Sequence, residues 1–178
     1  HTSEILAIFD SSDSYKYASP YQLVNANPKA RLVDMQGWKN LAAIINQKQP
    51  DIVQANAGDT LKYAALSKLL CKWKQPIVFR NASTLSSYIK SPVQKLYNGF
   101  LYQQTDGIAS VSEHSKNDLI TLYPNLAQKT VTLPIGLEEK QIVNNPFQEL
   151  KGQINLVHVG GFTFEKNHEG LLRIFSKI

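Results

Sequence analysis

Near the carboxyl end, INLVHVGGFTFEKNHEGLLRIF (154–175) sets an apolar strand pattern, two glycines, a short loop, a lysine and an amphipathic helical pattern in that order. Gly160 and Gly161 lack a Cβ, so a ligand can come close to the backbone at the strand end. The helix that follows opens with unpaired N–H groups and positive partial charge. Lys166, just before it, adds a full charge suited to a diphosphate. Together these features describe a phosphate cradle. The same residues also fit a plain turn beside a solvated lysine. The run is neither a P-loop, since no Gly-Lys-Ser/Thr closes it, nor a GxGxxG fingerprint.

A cradle of this kind needs a strand to aim it, and the sequence is rich in short apolar runs. Ile5 to Phe9, Ala30 to Met35, Asp51 to Ala57, Pro76 to Asn81, Gly107 to Ser112, Thr130 to Gly136 and Ile154 to Gly160 read as strands, several of them apolar on both faces. Helical stripes separate most of them. Trp38, Leu41, Ala42 and Ile45 form one; Leu61, Ala65 and Leu69 with Leu66, Leu70 and Trp73 form a broader one. Val93, Leu96, Tyr97, Phe100 and Leu101 form the cleanest. Ser115 and Asp118 resemble a capping box ahead of Leu119, with Pro124 ending that helix.

Alternating strands and helices with short connections predict an α/β fold with a doubly wound, Rossmann-like parallel sheet. Ligands gather at the carboxyl ends of such strands. The residues to watch are therefore Asn56, Gly58 and Asp59, then Arg80, Asn81 and Ser83, then Ser112 and Glu113, and finally Gly136. Each has a plain structural use as well. Asp59 or Thr60 suits a cap for a helix beginning near Leu61, Asn81 and Ser83 suit loop backbone, Glu113 suits a helix start, and Gly136 suits backbone geometry.

The polar stretch Asn144 to Gln153, interrupted by Pro146, predicts a boundary, with one domain over 1–150 and a second opening over 151–178. The sequence starts in a strand pattern without a leader and stops inside a helical one, so the reading expects a fragment incomplete at both ends. With 43% hydrophobic residues and 10% aromatics among 178, the composition is that of an ordinary globular protein. No apolar run is long enough to cross a bilayer.

A single cysteine, Cys71, excludes an intrachain disulfide and a cysteine-rich zinc site. His158 reads as a core residue of a strand and His168 as part of a first helical turn. Neither His114 nor His168 has a partner at metal-ligand spacing, so no metal site and no cofactor is expected. The formal charge of +5 suits a polyanionic partner without choosing among nucleic acid, anionic lipid and a nucleoside diphosphate. Lys62, Lys68, Lys72 and Lys74 give one helix a basic character that fits a solvated face or a patch docking on anionic lipid.

Five stretches resemble, in order and spacing, the family-4 glycosyltransferases of the GT-B fold. VGGFTFEKNHEGLLRIF is similar to the opening of that family's second domain, with its V-G-R-x-x-x-x-K-N or K-G pattern. DIVQANAGDTLKYAALSKLL resembles its D-[IV]-[IV]-H-x-H segment and PIVFRNAS its next strand. DGIASVSEHSKNDL resembles A-D-x-[IV]-x-x-V-S-E, and TVTLPIGLEE resembles [IV]-x-[IV]-[IV]-P-N-G-[IV]-[DE]. Three positions depart from the pattern: Gly161 stands where arginine is common, Asn56 where histidine is common, and Ile135 where asparagine is common.

The resemblance implies a chain carrying most of the GT-B N-terminal, acceptor-side domain, lacking its first β-α unit, and only the first β-α unit of the nucleotide-sugar domain. It implies sugar transfer from a nucleoside-diphosphate sugar to a hydroxyl of a saccharide or lipid-linked acceptor, without a metal and with retention of configuration. Gly160, Gly161 and Lys166 would hold the donor diphosphate. Asn56, Gly58, Asp59, Arg80, Asn81, Ser112, Glu113 and Gly136 become candidates for the acceptor side. The catalytic residues stay unassigned, and the 178 residues alone are expected to be inactive. A cytoplasmic enzyme of surface polysaccharide or glycolipid synthesis follows, peripheral on the anionic inner face of the membrane and with no nucleic-acid partner. Two rivals stay open: a nucleotide-sugar epimerase of the same fold, and a non-catalytic two-lobed ligand-binding module.

Overall fold

Helix and strand boundaries follow from where capping groups and buried rows fall. The computed structural model describes residues 2–10, 21–30, 33–136 and 156–177, apart from the Glu165 side chain. The chain divides into two units, His1–Gly136 and Leu137–Ile178. The predicted boundary stretch lies outside the described residues.

In the first unit, β1 (Ile5–Ala7) pairs in parallel with β2 (Tyr21–Leu23), in register Leu6 to Gln22. A second parallel sheet runs in the order β3 (Val53–Ala55), β4 (Ile77–Asn81), β5 (Gly107–Ser110), β6 (Thr130–Thr132). Helical crossovers join its strands, as parallel pairing requires. These are α2 (Gly58–Cys71), α3 (Pro92–Gln103) and α4 (Glu113–Leu122), while α1 (Met35–Lys48) precedes β3. The parallel α/β architecture predicted from the alternation is therefore present. Because all four strands of the larger sheet point one way, their carboxyl ends share one edge.

The core of this unit is built from Ile45, Leu61, Tyr63, Ile77, Ile108, Leu119 and Leu126, each almost fully buried. Burying a side chain of this size stabilises the fold by about 1.5–3 kcal/mol. Val24 and Ala26, just beyond β2, belong to the same buried cluster. α1 meets α2 closely: a Cβ on Gly37 would collide with the Asp34 carboxylate and stand 2.9 Å from Cε1 of Tyr63. Ser67 on α2 donates to the Trp38 carbonyl at 2.7 Å and accepts from the Trp73 indole at 3.1 Å.

Several predicted elements differ. Ala30 to Met35 is not a strand in its described part: Pro28–Ala30 forms a 3-10 turn and Met35 starts α1. The reason is Asp34, whose carboxylate accepts from the Gly37 N–H at 2.9 Å and so caps a helix inside the apolar run. Leu156 to Gly160 forms no strand, and Leu156, Val157 and Val159 are exposed; Ile154 and Asn155 lie outside the described residues. In α2 the predicted stripe is buried at Leu61 and Ala65, while Leu69 and Leu70 are exposed. The predicted α3 helix is present, but its apolar stripe is split in burial. Leu101 and Tyr102 face the core, whereas Val93 and Leu96 are 75% and 76% exposed.

In the second unit, a 3-10 turn at Phe164–Lys166 leads into α5 (His168–Phe175).

Candidate functional site

The candidate residues of the first unit sit along the carboxyl edge of the larger sheet, as predicted. Asn56 follows β3, is exposed, and accepts from Nε2 of Gln54 at 2.6 Å. Gly58 and Asp59 open α2, earlier than the predicted start near Leu61. Neither Asp59 nor Thr60 is the N-cap, which is Ala57. Instead the Thr60 hydroxyl accepts from the Ala57 N–H at 2.8 Å, and Asp59 pairs with Lys62 at 2.9 Å.

β4 alternates, with Ile77, Phe79 and Asn81 buried and Val78 and Arg80 half-buried. Asn81 thus points into the core row rather than outward, while Arg80 belongs to the opposite row. Asn81 is paired in register with Ser110, at the end of β5. Its Nδ2 donates to the Ser110 hydroxyl at 3.2 Å and to the Ser115 carbonyl at 3.1 Å. Asn81, Ser110 and Ser115 therefore form a buried polar floor beneath the edge. Ser83 is exposed in the loop that follows.

Ser112 is the N-cap of α4, and Ser115 completes a reciprocal box with it. Each hydroxyl accepts from the other residue's N–H, both at 3.2 Å. The capping pair thus begins three residues earlier than predicted, and Asp118 is used differently, accepting from the Ser86 N–H at 3.0 Å. Glu113 is exposed in the first turn with Lys116 at 3.8 Å. Its carboxylate complements the helix dipole. Gly136 is exposed, and a Cβ there would meet nothing within 4 Å, as is also true of Gly58. Backbone crowding does not explain either glycine.

The first unit also holds a buried charged group. Asp34 accepts from the Asn27 N–H at 2.7 Å and the Tyr63 hydroxyl at 2.9 Å, in addition to Gly37. Burial opposes its charge, but the two backbone donors and the Tyr63 hydroxyl outweigh it and hold the carboxyl below the usual aspartate value. Burial, then the Asp34 contact, pushes the Tyr63 phenol up. Sequence reading missed Asp34, and its only signal was an acidic residue three positions before a glycine in a helical pattern.

In the second unit, the space at Gly160 is tight. A Cβ there would stand 3.1 Å from both Cγ and Cδ of Lys166 and 3.5 Å from Nε2 of His158. The lysine stem therefore lies across the glycine. At Gly161 a Cβ would make only ordinary contact, 3.9 Å from Thr163. The Gly161 carbonyl is within 2.9 Å of Nε2 of His168, which stands in the first turn of α5 as predicted. His158 is exposed rather than in a core strand, and its ring meets that of His168 edge-on at 4.8 Å.

Asn167, between Lys166 and α5, adopts a left-handed backbone (φ 43°), and its Oδ1 accepts from the Gly170 N–H at 3.2 Å. Asparagine tolerates that conformation better than most residues. Lys166 is thus held immediately before a capped helix start, with its stem on Gly160. Among the described residues no cluster of three metal-binding side chains is present, and no helix is long and apolar enough to cross a membrane.

Parallel strands joined by helical crossovers make the first unit a Rossmann-like α/β fold. The chain belongs to glycosyltransferase family 4, whose model matches residues 1–141. Among solved structures it is similar to Alr3699/HepE of Anabaena in complex with UDP-glucose, with a TM-score of 0.54 and 17% identity over 67% of this chain. The same protein in complex with UDP gives 0.54 and 16%, and with UDP and glucose 0.52 and 16%. This chain spans about 31% of the length of HepE. No curated protein matches it.

Proposed function

We propose that the protein transfers a sugar from a nucleoside-diphosphate sugar to the hydroxyl of a saccharide or lipid-linked acceptor, with retention of configuration and without a metal. The single observation that carries this reading is the arrangement in the second unit: Lys166 laid across Gly160 immediately before the capped start of α5. Membership of family 4 and the UDP-glucose bound to HepE support a nucleotide sugar as the donor.

In the reaction the bond between the anomeric carbon and the diphosphate oxygen breaks. The acceptor oxygen forms the new bond to that carbon, and its proton passes to a phosphate oxygen or to water. Charge grows on the departing diphosphate, so Lys166 and the N–H groups of α5 stabilise the transition state more than the ground state. Arg80, Asn56 and the exposed start of α4 at Ser112 and Glu113 lie on the sheet edge to which acceptor binding is assigned. Asn81 supports that edge from below. A place in surface polysaccharide or glycolipid synthesis, in the cytoplasm against the anionic inner face of the membrane, completes the proposal.

Sugar transfer by the full-length polypeptide, with and without Lys166→Ala, tests the assignment. The expected loss is about 100-fold in kcat, the scale of removing one oxyanion-stabilising group. Full activity in the variant removes Lys166 from the mechanism. The 178-residue chain alone is expected to show little or no transfer.

A further inference from the structure

The imidazole of His168 ties the first turn of α5 to the loop that precedes it. Its Nε2 stands 2.9 Å from the Gly161 carbonyl. A carbonyl oxygen only accepts, so Nε2 carries the proton and donates it. The same oxygen accepts from the Thr163 N–H at 2.8 Å, closing a three-residue turn over Phe162. Both lone pairs of the Gly161 oxygen are therefore used, one by the turn itself and one by a side chain of α5.

Two further rings hold the imidazole. His158 meets it edge-on with centroids 4.8 Å apart, and the Phe162 ring is tilted by 36° against it, also at 4.8 Å. Nε2 of His158 reaches the open side of Gly160, 3.5 Å from where a Cβ would stand, and the Lys166 stem is at 3.1 Å from the same point. The helix start does not need His168 as a cap. Asn167 already fills that role, accepting from the Gly170 N–H at 3.2 Å.

The consequence falls on the other side of the peptide. The Gly161–Phe162 unit is planar and trans, so its N–H is directed opposite to its C=O. With the oxygen drawn back to α5, the Phe162 N–H points away from His168, and it has no backbone partner among the described residues. We infer that His168 is a positioning residue of the donor site: it fixes this peptide so that the Phe162 N–H is presented to the phosphate oxygens that Lys166 holds. The inference rests on the reading of Lys166 as a diphosphate contact. A turn ordered before the ligand arrives spares binding the cost of ordering it, so His168 strengthens donor binding without touching the donor.

Titration of the full-length polypeptide with UDP-glucose by calorimetry tests this. His168→Leu keeps bulk and loses the donor, and is expected to weaken binding about tenfold, the scale of one hydrogen bond. His168→Gln, whose side-chain amide can donate to the same carbonyl, is expected to bind within about twofold of the wild type. The melting temperature is expected to stay unchanged in both, since the Asn167 cap is kept; if leucine unfolds the protein, His168→Ala takes its place in the comparison. Without ligand, the Thr163 amide is expected to exchange faster in the leucine variant than in the glutamine one. A role in packing alone would be met by leucine and not by glutamine, so the order of the two variants decides. Leucine binding as tightly as wild type, glutamine binding as weakly as leucine, or Thr163 exchange indifferent to the change overturns the inference and leaves Lys166 in place. A wild type that binds no UDP-glucose overturns the donor reading and this inference with it.

Discussion

Asn81, the last residue of β4, donates its side-chain amide to the carbonyl of Ser115 in the first turn of α4, at 3.1 Å. One buried side chain thereby ties the end of a central strand to the helix that presents Ser112 and Glu113. Its second donor contact, to Ser110, joins β4 to β5 at the same level. Replacing Asn81 by alanine is expected to cost about 1–3 kcal/mol, the usual range for leaving buried polar partners unpaired. Asn81→Asp is expected to cost more, since it sets a carboxylate against the Ser115 carbonyl. Urea denaturation of the two variants measures both, and a cost for alanine below about 0.5 kcal/mol, the range of an ordinary surface change, would mean that Asn81 does not hold strand and helix together.

At the start of α4 the expected outcome is specific to one serine. Ser112→Ala removes the acceptor of the Ser115 N–H and should lower stability by about 1 kcal/mol. Asp118→Ala should act elsewhere, releasing the Ser86 N–H and speeding its hydrogen exchange without fraying the helix start. Amide exchange read residue by residue separates the two effects.

That contrast shows what the residue pattern could and could not convey. β3, β4, β5 and β6 were legible because short apolar runs bounded by turn residues have few other uses, and their order placed the candidate residues along one edge. The position of the α4 cap was not, because serine at 112 and at 115 and aspartate at 118 all satisfy the spacing rule; only the end of β5 at Ser110 decides among them. β2 escaped notice because Tyr21–Leu23 is too short to show a period. The run at Ala30 to Met35 looked like a strand because apolarity outvoted one aspartate. The α3 stripe had the right period, but periodicity reports a helix and not which neighbour covers it. The Asn81 floor depends on the register of β4 with β5, which no single segment carries.

Asp34 makes stability depend on pH in a defined direction. Its carboxyl is held below the usual aspartate value by the donors around it, so its stabilising contribution is present above about pH 4, where the unfolded chain is ionised. The contribution is lost as pH falls through the lower, folded value. The melting temperature of the wild type should therefore exceed that of Asp34→Asn at pH 6, with the gap narrowing as pH approaches 3. A gap that widened on acidification would mean that the carboxyl is neutral in the folded protein. At pH 6 the alanine variant should lose about 2 kcal/mol, combining a lost N-cap with an unpaired Asn27 N–H and Tyr63 hydroxyl.

Gly160 and Lys166 form the pair on which the donor assignment depends, and their coupling is measurable. A methyl group at 160 would press on Cγ and Cδ of Lys166 at 3.1 Å. The flexible stem yields more readily than backbone, so Gly160→Ala should leave stability within about 0.5 kcal/mol while moving the ammonium. UDP-glucose binding by calorimetry should weaken about fivefold in Gly160→Ala and about tenfold in Lys166→Ala, the latter the scale of one charge-assisted hydrogen bond. Gly161→Ala, which meets Thr163 only at 3.9 Å, should bind like the wild type. If the glycine acts through the lysine, the double variant should bind no more weakly than Lys166→Ala alone, because the second change removes an interaction already lost. Additive losses would instead mean that Gly160 serves the ligand directly, through close approach of its own backbone.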